Sequence, residues 1–312
     1  MSVTLIATVV ALVLGHLAPS LANAVRSHGW FTDWLRWLDG RFDEGSFWRG
    51  PWGVLVALAP PLLLVAIFQA AVDGAMFGLA GLLFGIAVLF YAWGPRDLDV
   101  DVDAVVQAPD PASRRAAAER LWPDDSPPSL ASGPLVDAVF QSSVRRWFGV
   151  LFWFLLLGPF GALLYRLTAL AAHGDAARQL PAGTVQGART LLTALEWPVA
   201  QLVSLALAIV GNFDTVLAAW KENGGASLAF DTRFLGAVGR ASVRSELAEE
   251  AGDYAVAGEP DETEAGGNRS VAAIPALTGD FPELRDAMSL VWRVLLAWLA
   301  VIALFVIAGY VN

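Results

Sequence analysis

The chain has 312 residues, a formal net charge of −10, and 56% hydrophobic against 16% charged residues; its mean hydropathy is +0.55. Soluble domains carry about 25% charged residues, so the composition points to a polytopic α-helical membrane protein. The negative balance excludes the basic footprint of a nucleic-acid binder and a protein held only by anionic lipid headgroups. With no cysteine, disulfides, thiol catalysis and cysteine-based metal or iron–sulfur sites are excluded as well.

The expected fold class is all-α: a transmembrane helix bundle of four to six spans, with cytoplasmic helical loops and an amphipathic interfacial helix. Residues 1–93 hold an N-terminal helix, the interfacial helix and a helical hairpin. Residues 94–146 form a cytoplasmic helical loop, 147–215 the central membrane core, 216–287 a cytoplasmic segment with an acidic disordered loop, and 288–312 a C-terminal span.

The first apolar run, Val3 to Leu17, ends in an Ala-x-Ala-like stretch that resembles a signal-peptide cleavage site. Its n-region lacks Lys and Arg, so an uncleaved, short or tilted first helix is expected. From Gly29 to Trp52, Trp30, Trp34, Trp37, Leu38 and Phe42 recur at near-helical spacing among Asp33, Arg36, Asp39 and Arg41. Such a stretch lies in the membrane interface or packs its aromatic side on the bundle. Pro51 to Val72 and Gly74 to Trp93 read as a tight hairpin turning at Asp73-Gly74. The second of these runs carries Gly74, Gly78, Gly81 and Gly85, a stripe that permits close helix approach.

Gly94 to Ser143 reads as soluble, with a helix over Ala112 to Leu121 bracketed by Pro-rich loops. Arg145 to Leu170, RRWFGVLFWFLLLGPFGALLYRLTAL, is acid-free and long enough to span a hydrocarbon core of about 30 Å, with a Gly-Pro-Phe-Gly break inside it. A polar connection over 173–190 leads to a run from Val199 to Val210, with Pro198 suited to a helix first turn. Phe213 to Glu246 is moderately helical, Glu246 to Ser270 is acidic, Gly-rich and expected to be disordered, and Met288 to Val311 is the last span. The Trp residues gather at the ends of apolar runs, where indole rings anchor to the interface. Lys and Arg concentrate in 25–49, 94–146 and 213–287 and thin out in 172–192. The retention of positive charge in the cytoplasm then puts the three rich segments inside and 172–192 outside.

In the middle of the chain, Leu151-Phe152-Trp153, Gly158-Pro159-Phe160-Gly161-Ala162-Leu163-Leu164-Tyr165-Arg166-Leu167, Glu196-Trp197-Pro198-Val199, Ala208-Ile209-Val210-Gly211-Asn212-Phe213 and Ala219-Trp220 resemble the AmpE family. That resemblance implies a multi-pass bacterial inner-membrane protein, a signalling modulator of β-lactamase induction, with a membrane or cytosolic partner in cell-wall recycling. AmpE is distantly similar to the CobD/CbiB membrane enzymes of cobalamin synthesis, which use ATP. Those enzymes carry Glu-Asn-Thr-Ser-Asp-Gly just before the Leu-Phe pair. This chain has Gln141-Ser142-Ser143-Val144-Arg145-Arg146 there, and a carboxylate site for a metal–nucleotide does not survive that charge reversal.

The candidate ligand or anion-binding residues are Arg145, Arg146, Tyr165, Arg166 and Glu196. The two consecutive arginines suit either membrane-edge anchoring or phosphate and carboxylate at a helix start. Arg166 and Glu196 are charges at apolar runs, a functional or structural pair by default. Asp97 and Asp99, in the alternating series with Asp101 and Asp103, are the candidate metal–nucleotide ligands, since Mg²⁺ prefers carboxylates. Alternate acids diverge on a helix, which favours a solvated loop. The histidines match no zinc spacing, and the sequence contains no P-loop and no nucleophile elbow. The expectation is a regulatory membrane protein without catalysis, with no metal and no cofactor. A cobalamin-type ligase using ATP and Mg²⁺ and a small-anion transporter are the alternatives. The expected partners are the lipid bilayer and a cell-wall-recycling protein, with no nucleic acid.

Overall fold

A computed structural model describes residues 7–8, 10–11, 28–43, 45–72, 78–94, 97–122, 127–227, 229–257 and 281–308. Nearly all of the first apolar run, the signal-like ending, the turn at Asp73-Gly74 and most of the acidic stretch lie outside these residues. The described residues are helical and contain no strand.

The helices are α1 (Gly29–Asp39), α2 (Gly53–Val72), α3 (Leu79–Ala92), α4 (Leu98–Val106), α5 (Pro111–Leu121), α6 (Ser132–Ser143), α7 (Gly149–Leu157), α8 (Pro159–Ala172), the short α9 (Gly174–Ala177), α10 (Ala182–Val210), α11 (Phe213–Glu222), α12 (Phe234–Ala257) and α13 (Pro282–Ile307). A 3-10 turn, Phe47–Arg49, precedes α2, and a π-helical turn, Val144–Phe148, joins α6 to α7. Among the described residues three helices are long and apolar enough to cross a membrane: α2, α10 and Pro282–Leu304 of α13. Their outer faces carry Leu63, Leu64, Ile67, Leu205, Ile209, Leu296 and Leu304 in exposed positions. An apolar surface of that extent belongs against lipid.

The stretch from Arg145 to Leu170 is not one kinked span. At Gly158 the backbone takes φ +67° and ψ −151°, a region that essentially only glycine enters. Pro159 then supplies the first residue of α8, where its missing N–H costs nothing. The chain folds back, so that α7 and α8 lie antiparallel. Gly149 sits against the Tyr165 ring and Gly161 against the Trp153 carbonyl, where a Cβ would come within 2.2 and 2.0 Å. The polar groups freed at the turn are met by Gln69 of α2, whose Nε2 donates to Leu157 O at 3.3 Å and whose Oε1 accepts from Phe160 N at 3.0 Å. Among apolar helices such groups need a partner inside the protein.

The fold-back returns the chain to the end of the bundle it left. Helix α9 packs on α1. The start of α10 lies against residues 48–53: Gly183 and Gly187 admit the Arg49 and Pro51 carbonyls, and the Thr184 hydroxyl donates to Trp48 O. Residues 173–190 therefore share an end with α1, against the expectation that they lie on the opposite side. Helix α10 begins at Ala182, takes in half of the supposed polar connection, and runs through Pro198. Close packing between helices rests on glycines of α7, α8, α10 and α12. Gly81 and Gly85 of α3 meet their neighbours only at ordinary distances.

Further corrections concern single elements. Helix α12 continues through Glu246 to Ala257, where a disordered loop was expected. Trp48, Trp93 and Trp147 are buried in the bundle and do not anchor it to an interface. Other indoles act as clamps between elements, as when Trp34 Nε1 donates to Ala57 O at 3.0 Å and Trp153 Nε1 to Leu195 O at 3.1 Å. Helix α1 turns Phe31, Leu35 and Leu38 inward and leaves Trp30 and Trp37 exposed.

Helices α6 and α12 pack closely because Gly236 and Gly239 face Asp137 and the Phe140 ring, and Asp137 pairs there with Arg240. Burial pushes the Asp137 carboxyl above its usual range, opposed by the charges of Arg240 and Arg244. An acid whose folded pKa is raised stabilises the fold below its unfolded pKa and loses that contribution as pH rises through the folded value. Thermal melts in detergent should therefore show the Asp137 contribution growing as pH falls from neutral toward the ordinary carboxylate range. Asp137→Asn should flatten that slope, and an unchanged slope refutes the assignment. At the turn, Gly158→Ala should cost on the order of 1–3 kcal/mol from backbone strain. A melting temperature equal to that of the native chain would show that the fold-back does not need glycine.

Candidate functional site

The π-helical turn carries Arg145 and Arg146 where α6 enters the apolar core. The two side chains part. Arg145 Nε donates to Glu196 Oε1 of α10 at 3.0 Å, whereas Arg146 Nη1 donates to Asp101 Oδ2 of α4 at 2.6 Å and its Nη2 to Arg120 O of α5 at 2.5 Å. Gly94 makes room for Arg146: a Cβ there would stand 2.8 Å from the Arg146 Cβ.

Tyr165 is buried beside this turn because residue 149 is glycine. Its hydroxyl lies 3.3 Å from both Glu196 Oε1 and the Val144 carbonyl. The charges of Glu196, Arg145 and Arg166 all act on it. Arg166, also buried, donates from Nε to Ala92 O at the end of α3, at 2.5 Å. A second link between α8 and α10, Arg189 Nε to Ala172 O at 3.2 Å, fixes the two helices as antiparallel. Arg145, Tyr165, Arg166 and Glu196 are thus gathered where α3, α7, α8 and α10 converge.

Glu196 is the carboxylate that the sequence offers to Arg166. In the structure Arg145 meets it as an ion pair, and Arg166, on the same level of the bundle, also ties down the end of α3. Pro198 contributes: it leaves the Ala194 carbonyl without its helical donor, in the turn of α10 that presents Glu196.

The alternating acids are helical and do not form a solvated loop. Asp97 stands at the start of α4. Positions two apart face opposite sides of a helix, so Asp99 accepts from Trp292 Nε1 of α13 at 3.0 Å while Asp101, 0% exposed, takes Arg146. Asp99 and Asp101 pin α4 to two different elements and do not converge on one point. Among the described residues no group of three or more His, Asp or Glu side chains is placed to hold a metal ion.

Two participants escaped the sequence reading. Asp101 looked like any member of its series, and its flanking Val100 and Val102 were the only hint that it faces inward. Gln69 carried a clearer signal, as the single polar side chain in the run from Gly53 to Val72. An uncharged amide in such a run serves a neighbouring helix.

Chemically, the cluster is a set of paired charges in an apolar setting. An incoming phosphate or carboxylate would have to compete with Glu196 for Arg145 and with Asp101 for Arg146. Comparison with protein-family models, with curated proteins and with solved structures finds no match to this chain.

Removing one member of a buried ion pair leaves an uncompensated charge and costs about 3–5 kcal/mol, whereas replacing both members by apolar groups is often nearly neutral. Asp101→Leu and Arg146→Met should each lower folded yield and melting temperature, and the double variant should recover most of the loss. The same cycle on Arg145→Met and Glu196→Leu should show weaker coupling, because the Arg145 side chain is 22% exposed against 12% for Arg146. Additive losses in the Asp101–Arg146 cycle would exclude a coupled pair.

Proposed function

We propose that this chain is a multi-pass bacterial inner-membrane protein of the AmpE kind, with a regulatory role in β-lactamase induction and cell-wall recycling and no catalysis of its own. The observation that carries the non-catalytic part is the state of Arg145 and Arg146. Arg145 stands where the cobalamin enzymes resembled by the sequence have the aspartate of their motif and Arg146 where they have its glycine, and both are engaged by acids of this same chain. Residues spent on holding helices together are poorly placed to turn over a substrate.

The membrane arrangement follows from the same reading. The described residues of segments 28–52, 94–146 and 173–181 share one end of the bundle, and these segments carry about half of the arginines, so this end faces the cytoplasm. Helices α2, α10 and α13 are full crossings, and α7–α8 enter and return as a hairpin. Helix α11 runs back alongside α10, as the bond from Trp220 Nε1 to Gln201 Oε1 at 2.8 Å indicates. Helix α1 lies in the interface, its inner face on the bundle and its exposed tryptophans among the headgroups. A membrane or cytosolic partner in cell-wall recycling would then meet the α4–α6 and α12 face.

A deletion strain provides the test. β-Lactamase induction by a cell-wall-damaging antibiotic should change in the deletion and recover on complementation, while corrinoid-dependent growth stays normal. Unchanged induction would overturn the regulatory reading, and a corrinoid requirement would replace it with the ligase.

A further inference from the structure

Helices α2 and α3 follow one another in the chain, yet two cavities open between them. The first, about 520 Å³, is lined by Trp30 and Trp34 of α1, Pro60 and Leu64 of α2, Val88 of α3 and Leu163 of α8. The second, about 610 Å³, continues past Phe84, which lines both, to Gln69 and the Gly158-Pro159 turn. Phe84 rests on Phe68 with ring centroids 4.6 Å apart, so a pair of rings marks the join.

Along α2 the lining runs from Pro60 to Val72, roughly 18 Å at the helical rise. One leaflet of a hydrocarbon core is about 15 Å deep. The second cavity is partly polar around Gln69, whereas the first is walled almost wholly by carbon and opens beside Leu64, which is 69% exposed on the lipid-facing side of α2. Its upper rim is a ladder of rings: Trp34 lines the cavity, Trp37 stacks on Trp34 at 5.2 Å, and the Arg41 guanidinium lies over Trp37 at 4.6 Å. The rim therefore offers indole faces and a cation where a headgroup would sit, and the far end closes on a polar side chain, Gln69.

We propose that this trough is a binding site for an anionic glycerophospholipid, one acyl chain lying between α2 and α3 and the phosphate resting near Arg41. The carbon lining of the first cavity and a length close to that of one acyl chain, about 15 Å, select an acyl chain, and the cation at the rim selects a negative head. The site is separate from the charge cluster, and its occupancy does not depend on the regulatory reading.

The full chain, reconstituted in phosphatidylcholine vesicles with a minor fraction of phosphatidylglycerol carrying a mid-chain diazirine, is irradiated and the adducts are mapped by mass spectrometry. Adducts are expected on Leu163 or Val88, which face the trough, in addition to the outer surface around Leu205 and Ile209. Ala87→Trp, or Val88→Phe as a smaller plug, should abolish the adduct on Leu163 and leave labelling at Leu205 and Ile209 unchanged, which also shows the bundle intact. Arg41→Gln should reduce the preference for the phosphatidylglycerol probe over the corresponding phosphatidylcholine probe several-fold. Labelling confined to the outer surface, or Leu163 adducts that survive both plugs, would overturn the proposal. So would a benzophenone at position 64 (Leu64→p-benzoylphenylalanine) that couples only to residues 12–27 or to a second copy of the chain, since the trough would then be filled by protein.

Discussion

A charge taken out of water must find its counter-charge inside the protein, and this constraint sets the alignment of the helices here. Arg146 with Asp101 and Arg145 with Glu196 are neighbours in one turn of helix, but they reach to α4 on one side and α10 on the other. The desolvation of such groups is costly enough that only good geometry makes the pairs tolerable. Sliding α10 or α4 by even one residue would leave an acid buried against carbon. Apolar packing alone has no comparable preference for register, because one leucine contact is much like the next.

The neutral polar groups follow the same rule at lower stakes. Gln69 closes the amide and carbonyl exposed by the turn at Gly158, Thr184 caps the approach of Trp48, and the indole of Trp153 takes the Leu195 carbonyl near Pro198. At each of these three places a side chain from another element meets the backbone. Irregular backbone survives among apolar helices only on that condition.

Much of the helical content was legible in the sequence. Long apolar runs announced α2, the second half of α10 and most of α13, and the spacing of aromatic residues announced α1. Asp110 and Asn212 stand as caps at the starts of α5 and α11, each accepting a backbone N–H. The topology was less legible. A Gly-Pro break inside an apolar run has the same composition whether the helix bends or reverses, and what marks the reversal is a glutamine 89 residues earlier in the chain, at 69 against 158. That Arg145 also meets Glu196 was hidden for a similar reason: Arg166 is nearer in sequence, but the fold-back brings both arginines to Glu196's level and the π-helical turn aims Arg145 at it.

That π-helical turn has a consequence for how the two halves of the long element work together. An α-helix advances about 100° per residue, and a π turn accommodates roughly one residue more than the regular helix around it. Val144–Phe148 therefore acts as a rotational spacer between α6, which carries the contacts to α12, and α7, which carries the contacts to α8. Winding the same residues as a regular α-helix, with none removed, would swing the α6 face by about a quarter of a turn relative to the membrane core. Asp137 would then point away from Arg240 while Tyr165 still lay against Gly149. The angular setting between the polar helices and the apolar bundle is thus encoded in the length of five residues.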